Sequence, residues 1–165
     1  MTLSKSDFKL ASTCPKKLVY KKASYQTMND SNEYMEMLAQ GGYIVAKYAQ
    51  LTYPDGIEIS DESLEKAIEE TIKQIEGNDK ITLFEATILS KNKLIRIDIL
   101  EKIGNQFNLI EVKSESFDRN VGINDHLASL EDVAYQTMVL KEAYPDYKVN
   151  SFLLLPDKSK RTEIE

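Results

Sequence analysis

The sequence predicts an α/β fold in which, from Ser60 onward, a helix, three antiparallel strands, a second helix and a final strand follow in order, with additional helices ahead of them. Three observations predict it. Between Ile81 and Ser114, the runs ITLFEATILS, LIRIDIL and LIEVKS are rich in branched apolar residues, carry a few charges and are separated by turn formers, as strands of one sheet would be. Leu64, Ala67, Ile68, Thr71, Ile72 and Ile75 recur at three- and four-residue steps, and Gly77 closes the run as a helix. After a loop over 116–124, Asn124 or Asp125 caps a helix running to Tyr144, Pro145 stops it, and Lys148 to Leu155 reads as a largely buried strand ended by Pro156.

The elements ahead of Ser60 are mostly helical. Ser4 is a helix cap and Pro15 occupies the first position of a second helix, where its missing N–H costs nothing. Phe8, Leu10, Leu18 and Tyr20 are placed to pack onto the domain while the lysines around them stay in water. Asp30 followed by Glu33 resembles a capping box opening a helix that carries Met37, Leu38, Ile44, Val45 and Tyr48. Gly41-Gly42 interrupts it, so a kink or two successive helices fit as well as one rod. Pro54-Asp55-Gly56 marks a turn. The expected organisation is one domain over 1–165, with a helical region over 1–59, a core over 60–156 and a charged tail over 157–165.

Composition narrows the function classes. The chain has 165 residues and 42% hydrophobic content, enough for one real core. A formal net charge of -6 argues against coating nucleic acid through overall charge, although Lys5, Lys9, Lys16, Lys17, Lys21 and Lys22 gather near the amino end. A lone Cys14 and a lone His126 exclude a disulfide framework and argue against a zinc or iron-sulfur centre built from this chain alone. No apolar run is long enough to span a membrane and no signal-peptide pattern is present, so no membrane partner and a cytoplasmic setting are expected.

The chemistry concentrates in the second and third strands. Period-two alternation puts Ile95, Ile97 and Ile99 on one face and Arg96 and Asp98 on the other. It also puts Ile110 and Val112 on one side and Leu109, Glu111 and Lys113 on the other. Gly104-Asn105 sits in the middle of a hairpin loop over Lys102 to Gln106, and a register pairing Leu100 with Leu109 sets Asp98 opposite Glu111. Two facing carboxylates repel by up to ~1 kcal/mol, which a divalent cation would offset. Magnesium is commonly held by one or two carboxylates plus water and phosphate oxygens, so this pair beside Lys113 suits phosphate-ester chemistry. Lys113 would orient or deprotonate a metal-bound water, or stabilise charge developing on the phosphorus oxygens. Solvated charges on the wet face of a sheet are the alternative the residues themselves leave open.

With these residues in place, the chain resembles the PD-(D/E)xK nuclease superfamily, and within it the RecB-like nucleases and the CRISPR-associated exonucleases related to them. The motif reads Ile-Arg-Ile-Asp at 95 to 98, then Ile-Glu-Val-Lys at 110 to 113. The wider run of LSKSDFKLASTCPKKLVY, FEATI, RIDIL, LIEVKS and DVAYQ is similar to that of a bacterial protein family of uncharacterised function. The resemblance implies a restriction-endonuclease-like core that hydrolyses nucleic acid, DNA by preference, with Mg2+ or Mn2+. It implies that Asp98, Glu111 and the Val112 carbonyl hold the metal and that Lys113 is the catalytic lysine. Glu85 matches an acidic position that joins or supports the metal site, and Gln136 matches a glutamine lying near the active site and DNA. A larger repair or defence assembly is the implied setting.

The chain departs from that pattern in four places. Leu140 stands where a tyrosine follows the glutamine motif, with Tyr135 nearby. Tyr43, Ile44, Val45 and Ala46 follow Gly41-Gly42 where relatives place a histidine ligand. Cys14 matches only the first of the four cysteines of the iron-sulfur members. The tail PDKSKRTEIE follows soon after the last core strand, as in a piece of a longer protein. A catalytically silent domain that binds nucleic acid or a protein partner is therefore the alternative to an active nuclease. His126, beside Asp125, reads as a loop anchor rather than a ligand.

Overall fold

The computed structural model describes residues 2–25, 33–60, 62–118 and 122–159. Along the chain lie β1 (Leu3–Ser4), α1 (Lys5–Thr13), α2 (Pro15–Lys22), α3 (Glu33–Gln50), β2 (Ile57–Glu58), α4 (Leu64–Gly77), β3 (Lys80–Ser90), β4 (Lys93–Ile103), β5 (Gln106–Val112), a 3-10 turn at Ile123–His126, α5 (Leu127–Ala143) and β6 (Lys148–Leu154). The fold is α/β, built on a mixed sheet of six strands in the order β2-β3-β4-β5-β6, with β1 joined to β4. β3, β4 and β5 are antiparallel, whereas β6 runs parallel to β5, β2 to β3 and β1 to β4.

Several local signals act as the sequence predicts. The Ser4 hydroxyl accepts from the Asp7 N–H and the Asp7 carboxylate accepts from the Ser4 N–H, a reciprocal cap that starts α1. Pro15 is the first residue of α2. The α4 cap is Ser63, so that helix opens at Leu64 rather than Ser60. Gly56 lies flat against the Phe84 ring, and a Cβ at that position would clash with the aromatic carbons. Across Gly41-Gly42, α3 is a single continuous helix, whose Val45 and Ala49 pack onto the sheet. The proposed Asp30 cap lies outside the described residues.

Helices cover both faces. On one face Ala67 and Ile75 of α4 and Val133, Tyr135, Val139 and Leu140 of α5 close over Leu83, Ala86, Ile88, Ile95, Ile97, Leu100, Phe107 and Leu109. On the other, Ala49, Val45 and Tyr53 meet Phe84, Ile99, Ile110 and Val112. This partition corrects the strict alternation expected for β4, because Ile97 and Ile99 fall on opposite faces. The reason is a shared break. Phe84↔Ile99 and Ala86↔Ile97 pair, but Glu85 and Asp98 between them do not, and Glu85 has φ 58, in the left-handed region that disfavours side chains. Both strands change face at that step, so the register survives. The hydroxyl of Thr71 on α4 accepts the Thr87 N–H at 3.0 Å just past the break.

Three further expectations change. The region before residue 60 contributes two short strands as well as helices. Among the described residues β6 pairs only with β5, and Phe152 is 49% exposed, so the last strand is a half-covered edge and not a buried one. The lysines near the amino end are not simply wet, because Lys21 and Lys22 each lie 2.7 Å from the buried carboxylate of Asp7. Together they outweigh its burial and hold that carboxyl well below the usual carboxylate range. Among the described residues no helix is long and apolar enough to cross a membrane.

Lys102 of β4 is buried and donates to the Ile75 and Asn78 carbonyls at 2.7 and 2.6 Å, closing the end of α4 with a positive charge. Replacing it with Met leaves both carbonyls without their donor. Urea denaturation of Lys102→Met is expected to show a loss of about 2 kcal/mol of folding stability.

Candidate active site at the open edge of β4

Among the described residues, β4 has a neighbour on its β5 side at both ends but not in the middle. Ile99 to Ile103 pair with β5, and Lys93 and Leu94 pair with β1. Between them the edge opens. The expected register is observed, with Leu100 opposite Leu109, and the ladder stops at Ile99↔Ile110, one step before Asp98 and Glu111. There the Asp98 carboxylate replaces a backbone acceptor and takes the Val112 N–H at 2.7 Å. The break in β3 and β4 thus brings Asp98 to the point where β5 leaves β4.

Glu111 points to the α5 face of the sheet and its side chain is only 1% exposed. Three donors hold it. Lys5 Nζ and Lys113 Nζ each lie 2.7 Å from Oε1, and Gln136 Nε2 donates to Oε2. Lys113 is held a second time by Asp132 Oδ2 at 2.7 Å, and Lys9 reaches that same oxygen at 3.2 Å. Asp132 and Gln136 sit one turn apart on α5, the spacing that puts two side chains on one face. Among the described residues, Asp132 Oδ1 and Gln136 Oε1 are buried without a hydrogen-bond partner.

The charges follow from these neighbours. Burial, reinforced by the charge of Glu111, pushes Asp98 up to about 7. Burial also opposes the charge on Glu111, but Lys5 and Lys113 outweigh it and hold Glu111 below the usual carboxylate range. Lys113 is likewise buried, yet Asp132 and Glu111 raise its pKa and keep it protonated. As folded, it is a fixed positive charge and hydrogen-bond donor, not a base. Of the roles expected for Lys113, orienting water and stabilising developing charge fit this state.

Glu85 lies beside Asp98 rather than against Glu111. Burial raises its pKa. It lines a hollow of about 300 Å3 with Ser4, Lys5, Ser6, Arg96 and Asp98. Gln136, fully buried near the middle of α5, contacts the Glu111 carboxylate and therefore positions it. Tyr135 donates to the Leu3 carbonyl at 3.0 Å and stacks on Phe8 at 4.7 Å, so it fastens the start of the chain to α5. His126 Nδ1 lies 3.3 Å from Glu115, which accepts from Ser129, and is buried without a hydrogen-bond partner among the described residues.

The donor set suits a small divalent cation. Asp98 and Glu111 are two carboxylates at one spot, with Asp98 raised first by burial and then by the charge of Glu111, and a magnesium-type ion needs only one or two carboxylates. Val112, whose N–H is bound by Asp98, places its carbonyl on the same segment. Among the described residues no group of three or more His, Cys, Asp or Glu side chains converges. Sequence reasoning missed Lys5, Lys9 and Asp132; the Asp in DVAYQ, one turn before Gln136, was the only signal for any of them. No protein-family model matches the chain, and no curated protein matches it.

The raised pKa of Asp98 makes a pH prediction. Between pH ~4 and ~7 the unfolded chain ionises Asp98 while the folded chain keeps the proton, so folding stability falls as the pH rises through that window. Asp98→Asn keeps an acceptor for the Val112 N–H and removes the ionisation. In chelator, urea denaturation should find this variant about 2–4 kcal/mol more stable than the parent at pH 8, with the difference shrinking towards pH 5.

Proposed function

We propose that the chain is a metal-dependent phosphodiesterase of the PD-(D/E)xK, RecB-like type that hydrolyses nucleic acid, with DNA as the substrate. The observation that carries this reading is the meeting of Asp98 and Glu111 at the β4 edge, with Lys113 fixed beside them by Asp132. The order α4, β3, β4, β5, α5, β6 agrees with it. Asp98 and Glu111, with the Val112 carbonyl, would hold Mg2+ or Mn2+. The ion would supply Lewis-acid charge at the scissile phosphate and lower the pKa of water.

The chain's own residues do the rest. Lys113 stays charged and directs its ammonium at the site, where it would steady the oxygen charge that builds up in the transition state. Gln136 keeps the Glu111 carboxylate in one orientation. Glu85 and Arg96, in the hollow beside Asp98, form the near wall where a phosphate would enter. A silent nuclease-fold domain, binding nucleic acid or a protein partner, is the second reading. It draws on the lysine already seated on Glu111 and on the absence of histidine from α3.

End-labelled single- and double-stranded DNA incubated with Mn2+ or Mg2+ separates the two. The parent chain is expected to give products that Lys113→Ala reduces by about two orders of magnitude. Equal product from both proteins, or none from either, removes the claim of catalysis and favours the silent domain.

A further inference from the structure

We infer that Lys5 is the internal counter-ion of Glu111 and yields its place on Oε1 when a divalent cation binds, so that this one lysine sets the metal affinity of the site. The inference rests on the metal-dependent reading above and adds to it a residue that controls loading. Its starting point is the crowding of Glu111. Of the roughly four acceptor positions of a carboxylate, Lys5 and Lys113 take both on Oε1 and Gln136 takes one on Oε2. A metal bound through Oε1 displaces one of the two ammoniums.

The three donors differ in how firmly they are tied. Gln136 is fully buried in the middle of α5, and withdrawing it would strand a polar amide in the core. Lys113 is held by a second carboxylate, that of Asp132. Lys5 has Glu111 as its carboxylate partner, its side chain is 29% exposed, and it lines the hollow that also contains Asp98. It is the donor that reaches solvent at the smallest cost. Its backbone need not move, because the preceding Ser4 pairs with Leu94 and caps α1.

The balance of charge points the same way. With every group ionised, the carboxylates Asp98, Glu111 and Asp132 face the ammoniums of Lys5, Lys9 and Lys113, so the cluster balances without an added ion. A divalent cation placed against Asp98 and Glu111 would overshoot by two positive charges beside a fixed lysine. Releasing Lys5 removes some of that excess and frees one of the two occupied positions on Oε1 in the same step.

Calorimetric titration with Mn2+ tests this on the full chain at fixed pH and salt. Lys5→Met removes the competitor. Lys5→Gln keeps a donor for Glu111 without charge, and serves if the methionine variant does not fold by circular dichroism. Lys16→Met removes one exposed charge from α2 and controls for net charge. Asp98→Asn removes a ligand. The expected result is Mn2+ binding about tenfold tighter in the Lys5 variants, unchanged in Lys16→Met and lost in Asp98→Asn. Equal or weaker binding in the Lys5 variants, with binding still lost in Asp98→Asn, overturns the inference and leaves the metal site standing. Tighter binding in Lys16→Met to the same degree also overturns it, since net charge would then be the cause. No Mn2+ binding by the parent and the Lys5 variants removes the metal site itself, and the inference with it.

Discussion

Everything around the candidate site depends on keeping one desolvated charge paired. Glu111 is almost wholly withdrawn from water, and an isolated carboxylate in that position would take up a proton or unfold its surroundings. Lys5 from the start of the chain, Lys113 from just past β5 and Gln136 from α5 converge on it. The sheet, the long helix across it and the amino-terminal helix are thereby joined through a single carboxylate. Asp132 extends the tie by anchoring Lys113 and Lys9.

The second constraint is the paired break in β3 and β4. One strand changing face alone would shift its register against its partner; two changing face at the same step do not. The cost is a non-glycine residue, Glu85, with a positive φ, and two residues without ladder partners. Thr71 from α4 absorbs some of it by accepting the Thr87 N–H. The left-handed residue and the carboxylate that leaves the ladder stand side by side, the kind of local irregularity that accompanies function more often than regular sheet does.

How much of this was legible in the sequence follows from the range of each interaction. The hairpin loop at Gly104-Asn105, the register of Leu100 with Leu109, the cap at Ser4 and the proline opening α2 depend on neighbours and short periods, and they came out as read. Asp98, Glu111 and Lys113 were legible as neighbours because a tight loop and the register of Leu100 with Leu109 set their strands side by side, although Asp98 reaches the site through the break and not through alternation. Lys5 and Lys9 were not, because their partners lie 106 and 123 residues away. A lysine beside a serine-capped helix has no local mark telling a solvated side chain from a buried ion pair. The placement of Ile99 failed for a different reason: the alternation rule assumes an unbroken strand, and nothing in RIDIL announces the break.

The first residues are fastened to α5 through the Tyr135 hydroxyl, the Phe8 ring and Lys9, and to β5 through Lys5, which makes this segment a working component of the site. Proteolysis after Lys9 would leave Lys113 as the one ammonium against three carboxylates. With every group ionised, the cluster would turn from balanced to an excess of two negative charges, inviting cations and repelling a phosphate backbone. The start of the chain therefore acts as an electrostatic cartridge, and whatever happens to it in processing or purification determines which sign of charge the site presents.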